Sequence, residues 1–321
     1  MTQVDERWRG HWNLYVSFLT VARKHIALAV SFAGLLLAGG AAGYKIHSRR
    51  AFFDRRVLLS RFPAEDAVAV SVDVATLRAA HLLGDSKTAL EPEYKQFLEG
   101  TGFDYKRDLD LVVASFSRSG NFFIARGRFN WVKLRDYAVR DGGSCYRDLC
   151  RVQGSRPDRH ISFLPLRDDA IALAVSTDDL AAARLTKTGQ PVTAPIPTAP
   201  LWISVPGAEL RRQNSLPPGM RLMLSALTGA DRVVITLGPA LGSIEAHMDA
   251  TCRTQDDARI LTSRLRSTTA LLKEALMRDK KAADDEVGTL LTAGSFEQAD
   301  RRVTGRWPVS KSLLDALTAG I

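Results

Sequence analysis

The stretch DLVVASFSRSGNFFIARGRF, residues 110–129, holds two runs of alternating apolar and polar residues around SRSGN. In a strand, successive side chains point to opposite faces, and Ser, Gly and Asn supply turn conformations, so the stretch predicts a β-hairpin. A second stretch of the same layout, DRVVITLGPALGSIEAHMDA, spans residues 231–250 and turns at GPALGS. Each leads into a helix signal: FNWVKLRDYA after the first, and TQDDARILTSRLRSTTALLKEALMR after the second. In the longer helix the acidic residues Asp256 and Asp257 suit the N-terminal end of the helix dipole, and Ile260, Leu261, Leu265, Leu272 and Leu276 predict its buried stripe. Hairpins interleaved with helices imply an α+β fold, antiparallel sheets with helices packed on one face, nearest to the split β-α-β ferredoxin-like pattern.

The likeness of the two stretches extends outward from them. Three places in each half show a β-rich run ending at a helix start, and the junction markers are Asp73, Asn130 and Thr177 against Pro206, Thr254 and Ser310. Their offsets of 133, 124 and 133 residues suggest an internal duplication. Between the halves, TGQPVTAPIPTAP at residues 188–200 has four prolines, which preclude a regular helix and read as a linker. The expected organisation is therefore one α+β unit over residues 63–187, the Pro-rich linker 188–200, and a second similar unit over 201–321.

Residues 23–50, RKHIALAVSFAGLLLAGGAAGYKIHSRR, precede both units. From Ile26 to Tyr44 nineteen residues carry no charge, close to the roughly 20 that span a hydrocarbon core of about 30 Å. A globular core helix would show a polar face, and this stretch shows none. It reads as a transmembrane helix, 26–44, after an N-terminal tail of residues 1–25 and before a basic juxtamembrane segment, 45–62. Small residues such as Ala38/Gly40 or Gly40/Ala42 also fit a signal-peptidase site, so cleavage stands beside retention as an alternative.

The net charge of +9 follows the same division. Residues 1–61 hold ten of the 44 Lys and Arg but only three of the 35 acidic residues, which leaves 34 basic against 32 acidic in the rest. The excess flanks the apolar stretch, which favours anionic lipid headgroups over nucleic acid as the partner of that charge. Four basic residues precede the span and six follow it within seventeen residues, a slight lean toward a cytoplasmic C-terminal side. Against that lean, Cys145 and Cys150 bracket YRDL in a composition suited to a tight loop between strands. Such a loop brings its ends within disulfide range, and a disulfide implies an oxidising compartment. The alternative is two small apolar residues in a reducing cytoplasm. The cysteines weigh more here, which places the C-terminal part of a single-pass membrane protein outside the cytoplasm.

No catalytic signature emerges. There is no G-x-S-x-G or G-x-G-x-x-G, and LLGDSKTAL lacks the glycines of a phosphate loop, with Ser86 where the glycine before the lysine should be. The six histidines, at 11, 25, 47, 81, 160 and 247, have no partner at metal-ligand spacing, so no metal and no cofactor are expected. The acidic pairs in DLDL, RDDA, TDDL and ADDE sit at turns or helix starts, where capping explains them.

At FPAEDAVAVSVDVATLRAA, FDYKRDLDLVVASF and ARGRFNWVKLRDYA the chain resembles a group of bacterial envelope proteins that carry an export signal or anchor before duplicated α+β units. The resemblance covers most of residues 62–321 and implies a secreted or anchored, non-enzymatic domain. The expectation is thus an anchored extracytoplasmic binding module with a protein partner in the cell envelope. Two other readings stand beside it: an inner-membrane scaffold subunit of a pilus or secretion assembly, and a hydrolase with a dispersed site.

Overall fold

The computed structural model describes residues 53–63, 66–83, 92–154, 156–189, 192, 194–211, 225–240, 243–278 and 286–310. The expected transmembrane segment, 26–44, lies outside the described residues, and no described helix is long and apolar enough to cross a membrane.

The chain enters through a short helix, α1 (Arg55–Leu59), capped by the Asp54 carboxylate, which accepts from the Arg56 amide. Strand β1 (Val68–Asp73) passes directly into α2 (Val74–Ala79), where Asp73 accepts from the Thr76 amide at 2.9 Å. Helices α3 (Pro92–Thr101) and α4 (Tyr105–Asp108) follow, then the hairpin β2 (Leu109–Ser117) and β3 (Gly120–Gly127). Asn130 caps α5 (Trp131–Arg140) by accepting from the Lys133 amide at 3.1 Å. Two hairpins close this half: β4 (Ser144–Tyr146) with β5 (Leu149–Gln153), and β6 (His160–Arg167) with β7 (Ala170–Ser176), before a 3-10 helix at Ala181–Thr186.

The second half begins with β8 (Leu201–Pro206) and the single turn α6 (Gly207–Leu210). The hairpin β9 (Arg232–Ala240) and β10 (Ser243–Thr251) leads into α7 (Gln255–Arg278), then α8 (Glu286–Thr292) and the hairpin β11 (Ser295–Ala299) and β12 (Arg302–Val309). A reciprocal capping box starts α7: the Asp257 amide donates to Thr254 Oγ1 at 3.1 Å, and the Thr254 amide donates to the Asp257 carboxylate at 3.2 Å.

All twelve strands belong to one antiparallel sheet, in the order β11-β12-β10-β9-β8-β1-β2-β3-β7-β6-β5-β4. The fold is therefore α+β with a large antiparallel sheet, and the strands expected in two sheets are continuous. The reason is the register Ala69↔Ser204, Val70↔Ile203, Ser71↔Trp202 and Val72↔Leu201, which joins the first strand of each half. Read outward from that pair, β8-β9-β10-β12-β11 on one side has the same connectivity as β1-β2-β3-β7-β6 on the other, and β5 and β4 are added beyond.

Helices cover both faces of the sheet, where one covered face was expected. On the first face, α2 packs through Val74 and Leu77 onto Val72, Val112, Leu201 and Leu237. Helix α5 packs beside it through Leu134 and Ala138, and α7 packs through Ala258, Leu261 and Leu265 onto Met248, Ala250 and Val303. On the second face, Val113, Phe122, Ile124, Leu164, Ala172 and Ala174 form another apolar surface, covered by Leu58 and Phe62 and by Ala181, Ala182 and Leu185 of the 3-10 helix. Strands β3 and β7 are apolar on alternate residues of both parities, so they need cover on both sides. In α7 the buried stripe is Ala258, Leu261, Thr262, Leu265, Thr268 and Thr269, while Ile260 is turned outward at 48% exposure.

The described part of the segment expected to be juxtamembrane, residues 53–62, is packed into the body. Arg55 donates to the Pro197 carbonyl at 3.3 Å, Arg56 to that of Val192 at 3.4 Å, and Arg61 to those of Leu185 and Thr186 at 3.2 and 2.9 Å. The Gly189 amide donates to the Ser60 carbonyl at 2.7 Å. The Pro-rich stretch is thus strapped along α1, and three arginines read as lipid-attracting charge have backbone carbonyls as partners. Leu58, 1% exposed, anchors this strap, so Leu58→Ala is expected to lower the unfolding free energy by about 2–5 kcal/mol in denaturant titration. A change within about 0.5 kcal/mol, the range of surface substitutions, would show that α1 is not docked.

Candidate functional site

Of the described carboxylates in the acidic pairs, all but the exposed Asp168 are engaged in ion pairs or caps. Asp110 pairs with Arg78 at 3.4 Å, Asp169 with Arg126 at 3.7 Å, Asp179 with Arg151 at 2.8 Å, and Asp178 with Arg184 at 2.5 Å. Asp178 also accepts from the Leu180 amide at 3.0 Å. The pair in ADDE and the GDSK stretch lie outside the described residues or at their margin.

The most heavily used carboxylate is Asp108, whose side chain is 9% exposed. Arg107 donates to it at 2.6 Å, Arg128 at 3.2 Å, and the Asp104 amide at 3.0 Å. The Arg107 hydrogen bond is the largest cause that holds the carboxyl down at about 2, against the opposing effect of burial. Backbone closes the knot: the Arg128 amide donates to the Asp108 carbonyl at 2.8 Å. A Cβ at Gly127 would lie 2.3 Å from that same oxygen, so the approach requires glycine. A carboxylate so held is no general base near neutral pH; it clamps the start of β2 to the end of β3.

Cys145 and Cys150 lie directly opposite each other on β4 and β5 and form a disulfide with Cα atoms 4.0 Å apart. The two-residue turn between them is Arg147 and Asp148, with Arg147 at φ 52°, as tight hairpin turns require. Cys150 is fully buried against Leu134, Ala138, Phe163 and Ile171, so the staple pins the outermost hairpin beneath α5. At the tip Tyr146 is 70% exposed, and the Arg147 guanidinium lies 5.6 Å from its ring centroid. Cys252 is a buried free thiol, pushed above its ordinary range first by burial and then by Asp257 and Asp231, which leaves it a poor nucleophile.

Among the described residues no group of three or more His, Cys, Asp or Glu could hold a metal ion. A shallow, open cleft of about 330 Å³ lies between α3 and α5, lined by Gln96, Glu99, Gly100, Tyr137, Arg140 and Asp141. Its walls present a mixed set of charges to solvent and converge on no single point. The one site signal available in the sequence was therefore the cysteine pair. The Asp108 knot was hidden in DLDL, because Arg128 reaches it only through the β2–β3 pairing.

No protein-family model matches the chain, and no curated protein sequence matches it significantly. Among solved structures, TP0453 in crystal form I is 11% identical over 81% of this chain and 96% of that one, with a TM-score of 0.47. TP0453 in crystal form III is 10% identical over 82% of this chain and 98% of that one, also with a TM-score of 0.47.

The sign of the Asp108 effect is fixed by its depressed pKa. A carboxyl ionised down to about 2 when folded, against 3.8 ordinarily, stabilises the fold above pH 4 and loses that contribution as pH falls toward 2. Asp108→Asn is expected to lower stability by about 1–3 kcal/mol at neutral pH, with the difference from the native chain shrinking between about pH 4 and pH 2. A difference independent of pH over that range would contradict the assignment.

Proposed function

We propose that the chain is a single-pass protein of the bacterial inner membrane, anchored through Ile26 to Tyr44, whose folded body is an extracytoplasmic, non-enzymatic module that binds a protein of the cell envelope. The body is read as a duplicated α+β unit, with the strand connectivity repeated on either side of the β1–β8 pair in support. The observation that carries the sidedness is the Cys145–Cys150 disulfide. A directly cross-strand pair persists as a disulfide in an oxidising compartment and would be kept as two thiols in the cytoplasm. It closes a loop of only six residues, so its chain-entropy contribution is modest, on the order of 2 kcal/mol. Its structural effect is to hold an edge hairpin with an exposed Tyr and Arg at its tip in one conformation. Rigid aromatic and guanidinium groups are what protein interfaces use at their centres, and pre-organisation lowers the cost of ordering them on binding. The binding reading is favoured over the hydrolase because the carboxylates of the described pairs, apart from the exposed Asp168, are engaged by arginines and helix caps.

Alkylation of intact cells with a membrane-impermeant thiol reagent tests the sidedness. Cys145 is expected to be labelled only after an impermeant reductant is added. Labelling that needs cell lysis and no reductant would place the body in the cytoplasm and overturn the proposal.

A further inference from the structure

The strap described above fixes where the chain next to the apolar segment joins the body. Phe53 lies beneath Arg126, the guanidinium carbon 4.5 Å from its ring centroid, and Arg55 pairs with Asp73 at 3.3 Å. Arg126 and Asp73 mark one end of the sheet, where β1, β3 and β6 finish and β2, β7 and β8 begin. The same rim carries the Asp108 knot and the turn Arg167–Asp169 between β6 and β7. The charges displayed there are unequal in exposure. The Arg107, Arg128 and Arg167 side chains are 63%, 70% and 54% exposed, the first two sharing Asp108 and the third 4.0 Å from Asp169, whereas the carboxylates of Asp108, Asp73, Asp169 and Asp110 are 9%, 29%, 36% and 38% exposed. Asp168 is the exposed acid of that turn.

Eight residues separate Tyr44 from Phe53. They can span at most about 30 Å, the length of the chain fully extended. The nine-residue strand β2 is itself about 30 Å long, so the turn at Arg118, at the far end of the hairpin, lies a further strand length from the point of attachment. The tether therefore brings one end of the strands toward the bilayer, the end that carries Arg107, Arg128 and Arg167.

We infer that this rim, through Arg107, Arg128 and Arg167, lies against the anionic headgroups of the bilayer that holds residues 26–44. The inference rests on the anchored reading above. It gives the body a fixed posture: strands roughly upright on the membrane, and the turn at Arg118 pointing away.

The full chain in nanodiscs of mixed phosphatidylglycerol and phosphatidylcholine tests it. A fluorophore is placed without reductant on Asp168→Cys or on Arg118→Cys, which spares the disulfide and the buried Cys252, and headgroup-attached quencher lipids report proximity. Quenching at position 168 is expected to exceed that at 118 by about two-fold or more, and Arg167→Glu or pure phosphatidylcholine is expected to reduce the excess. Equal or reversed quenching in chains that do incorporate would overturn the rim assignment alone. Failure of the native chain to incorporate into lipid at all would overturn the anchored reading beneath it.

Discussion

The pairing of β1 with β8 is the contact on which the rest of the structure depends. Separately, each half would end in an open strand with unpaired backbone groups, a template for association with other chains. Joined in the register Ala69↔Ser204 to Val72↔Leu201, the two edges disappear, and Val72 and Leu201 become the centre of one core with Val112 and Leu237. The opposite face of the same pair is different in kind. Ser71 Oγ and Trp202 Nε1 are both buried there with no hydrogen-bond partner among the described residues, so the seam is held by its backbone ladder and apolar packing. The Asp73 amide extends the ladder by donating to the Pro200 carbonyl at 2.7 Å.

The two remaining edges are managed by other means. Strand β4 is three residues long and stapled to β5, and β11 carries the exposed Glu297. Alpha-helical cover is unequal across the seam. Over β3 and β7 the second face is sealed by α1 and the 3-10 helix. On β10 and β12 the equivalent positions are charged: Glu245 contacts His247 at 2.6 Å, and Asp249 pairs with Arg302. That stretch of sheet needs no apolar cover, because its side chains are at home in water.

Much of this was legible in the sequence, for reasons that are local. The hairpins at 110–129 and 231–250 are period-two patterns around turn residues, and the helix starts at Asp73, Asn130 and Thr254 are side-chain caps that act within three residues. The cysteine pair was legible because its loop is short. What could not be read depends on contacts between distant segments. Nothing local says that Leu201 pairs with Val72, and without that pairing two sheets are the natural expectation. Arg55, Arg56 and Arg61 look like lipid-facing charge in a basic run, and only the fold shows that the carbonyls of residues 185–198 lie within their reach. Ile260 misled because a list of apolar residues was taken as the stripe of α7. The true stripe follows the 3.6-residue period through Thr262, Thr268 and Thr269, whose methyl groups serve as apolar surface.

A body built as one sheet is a rigid platform: one end of its strands carries the attachment at Phe53 and the exposed arginines, and one lateral edge carries the stapled hairpin. That rigidity requires the two halves to open together. Native-state amide hydrogen exchange measures it directly. The account predicts that the amides of β1, β2, β8 and β9 exchange through a single opening with one free energy, equal to that of global unfolding. Exchange of β8 to β12 through a separate, lower-energy opening that leaves β1 to β7 protected would contradict it, and would make the β1–β8 seam a contact between two independent domains.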